Sequence, residues 1–179
     1  MSAIGDLTKL VSPPTKPLFA DEENSWLAVQ KCLGVRLPAA LAHFGRTYGS
    51  GWFEGGQGRL EIFNPFDPAY EAVIRSMSEI YIGLRDDSPE YYPYDFYPEP
   101  GGLFPVAYGD GRGTMAFLLM DKATPEKHMI IYDDRWDGLI EYQELMFDFL
   151  FDFLSNQIEE GYFPKQIRFV PEQHYGPEQ

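Results

Sequence analysis

One cysteine, three histidines and fourteen basic residues are all that this 179-residue chain offers for redox, metal or phosphate chemistry. A single cysteine, Cys32, excludes an internal disulfide framework and a multi-cysteine metal site. It lies in an apolar helical stretch and reads as a small core residue. His43, His128 and His174 are not spaced with one another, or with Cys32, as metal ligands are. Acids outnumber bases 28 to 14, a formal charge of −14. Phosphate binding needs clustered Lys and Arg, so nucleic acid and anionic membrane surfaces are poor partners. No apolar run is long enough to span a bilayer. Met1 to Asp6 shows no basic run followed by an apolar one, so no signal peptide is expected and the expected location is the cytoplasm.

Catalytic motifs are equally scarce. There is no Gly-x-Ser-x-Gly elbow, and with Cys32 assigned to the core no nucleophile stands out. Gly109, Gly111 and Gly113 alternate as in some nucleotide loops, but a β-rich run follows them where a phosphate cradle needs a helix. They read as a hairpin turn. The glycines from Gly49 to Gly58 lack the lysine and hydroxyl residue of a phosphate loop and read as an ordinary loop. Carboxylates are the only enzyme-like material. Paired acids across a cleft would suit a hydrolase, though adjacent acids such as Asp133-Asp134 read as a solvated turn. Neither acidic cluster has calcium-loop spacing. No cofactor, metal or catalytic set is predicted.

What is present is ample material for one core: 44% hydrophobic and 16% aromatic residues. A chain of this length buries roughly 70% of its unfolded surface without a metal or disulfide. Residues 1–18, with Pro13, Pro14 and Pro17, read as an extended lead-in. Residues 19–163 form the predicted domain, and 164–179 a tail. Asp21-Glu22-Glu23 and the apolar positions from Trp26 to Leu33 predict a helix ending at Gly34. Pro38 opens a second, ended by Gly49. Arg59 to Phe66 reads as a strand. Val73, Met77, Ile80, Tyr81 and Leu84 carry a helix from about Pro68 to Asp86. Leu103 to Asp121 reads as a hairpin, His128 to Tyr132 and Leu139 to Tyr142 as strands, and Gln143 to Glu160 as an apolar helix. This order is α+β in a single domain.

Two features could contact a partner. Between Arg85 and Arg112 there is no base, while Asp86, Asp87, Glu90 and Asp95 interleave with Tyr91, Tyr92, Tyr94 and Tyr97 among prolines. Tyrosines are enriched in binding cores, and loops this long are more often functional than not. The same rings could instead pack back as a cover over the core. On the last helix Glu144, Asp148 and Asp152 repeat every four residues, predicting either a solvated polar face or a negative ridge for a basic partner.

The stretch from Trp26 to Gly51 carries a family resemblance. A first amphipathic helix ends in Leu33-Gly34; then follow Val35-Arg36-Leu37-Pro38, a helix with Ala40, Leu41 and Phe44, and the exit Tyr48-Gly49-Ser50-Gly51. This resembles the opening of the SUKH superfamily of bacterial immunity proteins and a fungal cell-wall regulator. Later parts agree in order: Arg59 to Asn64, Phe104-Pro105-Val106, the Gly109 to Gly113 turn, and a closing Phe-rich helix. Gln30 stands where the family often has Glu, and Tyr48 where Asn is common. The Pro- and Tyr-rich insertion before Leu103 is longer than usual. The resemblance implies a twisted, largely antiparallel sheet flanked by N-terminal helices and a C-terminal helix. It further implies a non-enzymatic protein that occludes a secreted toxin, often a basic nuclease. The alternatives are a regulatory scaffold or adaptor, as the fungal relatives imply, and a carboxylate-dependent hydrolase.

Overall fold

The computed structural model describes residues 3–20, 25–56, 58–109, 114–120, 128–133, 139–158 and 166–172. In chain order they form α1 (Ala3–Leu10), α2 (Ser25–Leu33), α3 (Ala39–Tyr48), β1 (Gly51–Gly55), β2 (Gly58–Ile62), α4 (Tyr70–Asp87), β3 (Phe104–Gly109), β4 (Thr114–Met120), β5 (His128–Asp133), β6 (Leu139–Tyr142), α5 (Met146–Leu154) and β7 (Arg168–Pro171). The strands make one antiparallel sheet ordered β6-β5-β4-β3-β2-β1-β7. This is an α+β single-domain fold.

Helices cover both faces of the sheet. Phe53 of β1 meets Phe44 and Tyr48 of α3 on one side, and Phe169 of β7 closes that aromatic group. Phe117 of β4 meets Tyr81 of α4 on the other, with ring centroids 4.7 Å apart. In β1 and β2, buried Phe53 and Leu60 alternate with half-buried Trp52, Glu54, Arg59 and Glu61. That period of two places one set under α3 and leaves the other facing outward. The central strands, buried on both faces, read as continuous apolar runs such as Met115 to Leu118.

Several expectations are met in detail. Pro38 caps α3 with extended dihedrals, and Gly49 ends it at φ 71°, a conformation that favours glycine. The predicted strand at Leu139 to Tyr142 is present, and α4 runs one residue beyond Asp86.

Others are corrected. The lead-in expected to be extended contains α1, which packs on α5 and buries Ile4, Leu7 and Val11. An eight-residue helix is marginal by itself and forms here through tertiary burial. Tyr48 fastens its far end, donating from its hydroxyl to the Val11 carbonyl at 2.8 Å. The loop expected between Gly49 and Gly58 contains β1, paired with both β2 and β7. The predicted tail contributes β7 to that pairing. The last helix is shorter than expected, Met146–Leu154 rather than Gln143 to Glu160, whose final residues lie outside the described set. The Gly109 to Gly113 turn also lies mostly outside it, but β3 and β4 pair as a hairpin requires.

Because Leu7 is fully buried between helices, Leu7→Ala is expected to destabilise the protein by about 2–4 kcal/mol. Urea denaturation checks this. An unchanged midpoint would mean that α1 is an appendage.

Candidate partner-binding surfaces

The tyrosine-acid segment divides into a covering part and an outward part. Phe96 and Tyr97 are buried, and Tyr97 donates its hydroxyl to the Leu33 carbonyl at 2.9 Å, tying the segment to the end of α2. Tyr92 is half-buried edge-on against Tyr81. Tyr94 donates to the Glu141 carboxylate, which with burial pushes its hydroxyl pKa up to about 12. For these rings the covering role is the one observed. Asp86, Asp87, Glu90, Tyr91 and Asp95 are exposed, and Tyr91 keeps 65% of its surface in solvent.

The outward acids sit against local preference. Asp86 and Asp87 close the C-terminal end of an 18-residue helix. The carbonyl end of a helix repels anions, typically by about 0.3–1 kcal/mol each. Arg85 offsets part of this, reaching Asp95 at 2.9 Å and Asp86 at 3.4 Å. Among the described residues neither Asp87 nor Glu90 has a basic partner. Packing does not require these charges at this position.

The second ridge has a partly structural explanation. Glu144 precedes α5, and Asp148 lies in its first turn, where negative charge is favourable. Burial, then the charges of Asp152 and Asp148, raise the Glu144 carboxyl above its ordinary value. Glu144 lies before α5 begins at Met146, so of the three acids only Asp148 and Asp152 keep the predicted four-residue spacing on the helix. One Glu144 oxygen is buried without a hydrogen-bond partner among the described residues.

Two residues read differently from the sequence are corrected here. Cys32 is exposed, not in the core, and its thiol donates to the Glu71 carboxylate at 2.7 Å. That bond holds the thiol above its ordinary pKa, which disfavours a thiolate nucleophile. Asp133 is not in a solvated turn. It is fully buried and accepts a 2.5 Å hydrogen bond from Tyr81. The chain brings Tyr81 to it from 52 residues away, which no local pattern reveals.

A third surface is not legible as a site in the sequence. Where β7, β1 and β2 end beside the start of α4, a cavity of about 120 Å³ is lined by Ser50, Glu61, Asp67, Tyr70, Val73 and Glu172, among others. Burial raises the Glu61 carboxyl, the nearby Arg59 guanidinium opposes the shift, and the charges of Glu172 and Asp67 add to it. Asp67 is fixed by Ser50, whose hydroxyl donates to it at 2.6 Å, and by the Ala69 N–H at 2.8 Å. Among the described residues no three His, Cys, Asp or Glu side chains are placed to hold a metal ion, and no helix is long and apolar enough to cross a membrane. Comparison with protein-family models, curated proteins and solved structures finds no match.

The raised Glu61 carboxyl fixes the sign of a pH effect. A folded-state pKa above the unfolded value of 4.5 favours the fold below that value, and the contribution is lost as pH rises through the folded pKa. Glu61→Gln is therefore expected to melt at a higher temperature than wild type at pH 7. The difference should close as the pH falls below 4.5. Calorimetry at both pH values checks it; a lower melting temperature at pH 7 would contradict it.

Proposed function

We propose that this chain is a non-enzymatic, protein-binding immunity protein of SUKH type that neutralises a basic toxin domain by occluding it. The single observation that carries the reading is the acidic tip of α4. Asp86, Asp87 and Glu90 stand exposed around Tyr91 at a helix end that electrostatics disfavours for anions. Charges held against local stability are expected where a partner uses them. The tyrosine gives this tip an apolar, fairly rigid contact surrounded by charge.

The net charge of −14 supplies the long-range part. An acidic surface is steered onto a basic one with association enhanced by roughly 10- to 1,000-fold. A toxin that binds nucleic acid carries such a basic surface, and covering it blocks substrate without any chemistry by the inhibitor. Asp148 and Asp152 add negative potential from α5. Tyr92, Tyr94 and Tyr97 hold the segment that follows the tip against Tyr81, Glu141 and the end of α2. The adaptor reading uses the same surface with a different partner; the product of the adjacent gene distinguishes the two.

The test separates function from stability. Asp86→Asn combined with Asp87→Asn is expected to leave thermal stability unchanged or a few tenths of a kcal/mol higher, since it removes anions from a helix C-terminus. The same variant should associate with a basic toxin domain encoded next to it at least about fivefold more slowly at low salt. Stopped-flow association against ionic strength measures this. A wild-type rate indifferent to salt, or a variant as fast as wild type, would contradict the proposal.

A further inference from the structure

The cavity beside Glu61 has no part in the contacts proposed for the helix tip, and its lining has a chemistry of its own. Three of its lining residues are carboxylates drawn from separate segments: Glu61 from β2, Asp67 from the connection into α4, and Glu172 just after β7. Among the described residues no lysine, arginine or histidine lines it. Arg59 reaches Glu61 at 3.5 Å while its guanidinium stacks over the Trp52 ring at 3.8 Å. Among the described residues, three carboxylates against one guanidinium leave an excess of two negative charges. Asp67 is oriented in advance by Ser50, and Asn64 in turn donates to the Ser50 oxygen at 3.1 Å.

Two further observations concern the walls. Ile62, Val73 and Tyr70 give the cavity an apolar side as well as an acidic one. Tyr70 is buried, and its hydroxyl has no hydrogen-bond partner among the described residues. A buried hydroxyl left unpaired is costly unless water or a guest supplies the partner. At about 120 Å³ the cavity holds several waters or one small planar cation.

We propose that this cavity receives the guanidinium group of an arginine presented by a protein partner. The inference rests on the protein-binding reading above and deepens it by naming an anchor. Arginine fits better than lysine for two reasons. Its planar fork pairs with carboxylates through two donors, and its weakly hydrated faces tolerate apolar walls such as Ile62 and Val73. The incoming charge also relieves the mutual repulsion of Glu61, Asp67 and Glu172.

The test uses the full chain, labelled with nitrogen-15, and the probe Nα-acetyl-L-argininamide. Its neutral isostere Nα-acetyl-L-citrullinamide is the control. Saturable shifts are expected at the amides of Gly51, Glu61, Ile62 and Glu172 with the arginine probe and not with the citrulline one. Glu61→Gln and the exposed Glu172→Gln should each weaken binding by at least about fivefold. Glu79→Gln, on an exposed face of α4, should not. Non-saturating shifts spread over the acidic surface, or wild-type affinity in both cavity variants, would overturn the inference. Because the probe involves no partner protein, failure here leaves salt-steered association at the helix tip intact, and failure there leaves this result intact.

Discussion

The side-chain amide of Asn64 is the tie on which the other contacts depend. Its nitrogen donates to the Phe19 carbonyl at 3.2 Å, to the Leu18 carbonyl at 3.4 Å and to the Ser50 hydroxyl at 3.1 Å. Its oxygen accepts from the Phe66 N–H at 3.1 Å. One buried side chain thus joins the segment after α1, the exit of α3 and the approach to α4. The Glu172 N–H, bonded to the Ser50 carbonyl at 3.0 Å, brings in the end of β7. A buried polar group with its bonding capacity satisfied specifies one arrangement, because any other leaves it unpaired. The backbone must come close for this. A Cβ on Gly45 would lie 2.4 Å from the Asn64 oxygen, so only glycine fits there. The same tie aligns Ser50 and Asp67, and so one wall of the acidic cavity follows from the fold.

Three physical situations stand out among the described acids. Some serve structure: Asp133 beneath Tyr81, and Asp148 at the start of α5. Some crowd a concave site, as Glu61, Asp67 and Glu172 do. Others, Asp86 and Asp87 at the end of α4, stand in solvent where the helix itself disfavours them. Surface ion pairs contribute little to stability, commonly below about 1 kcal/mol, so Arg85 with Asp86 and Asp95 does not explain that last group. On the reading proposed above, a partner of opposite charge does. The cavity and the helix tip are compatible with one molecule that is steered by the tip and anchored by an arginine.

Much of the fold was legible because it is local. Pro38 and Gly49 bracket α3, the period of Val73, Met77, Tyr81 and Leu84 sets α4, and apolar runs on either side of the glycine turn give β3 and β4. What was illegible is non-local. α1 is short and gains its stability from α5, more than 130 residues away in sequence. β1 is hidden among glycines, and its pairing with β7 joins distant segments. Cys32 reads as core until Glu71 is brought beside it, and Asp133 as solvated until Tyr81 is. Of the candidate contacts, Asp86, Asp87, Glu90, Tyr91 and Asp95 are exposed as a partner would need. Tyr97 is spent on the core, and Tyr92 and Tyr94 are half-covered. The cavity escaped the sequence because its three carboxylates lie up to 111 positions apart, from Glu61 to Glu172.

That the outside of this molecule works by capturing a basic protein is tested most directly by co-expressing the chain with the product of its adjacent gene. Sizing the purified material at low salt and again at about 1 M salt, where the Debye length shrinks to roughly 3 Å, reads the result. The account predicts a stoichiometric complex at low salt, weaker at high salt, in which the partner's activity is blocked. No complex at either salt, or turnover of a substrate by this chain alone, would contradict it.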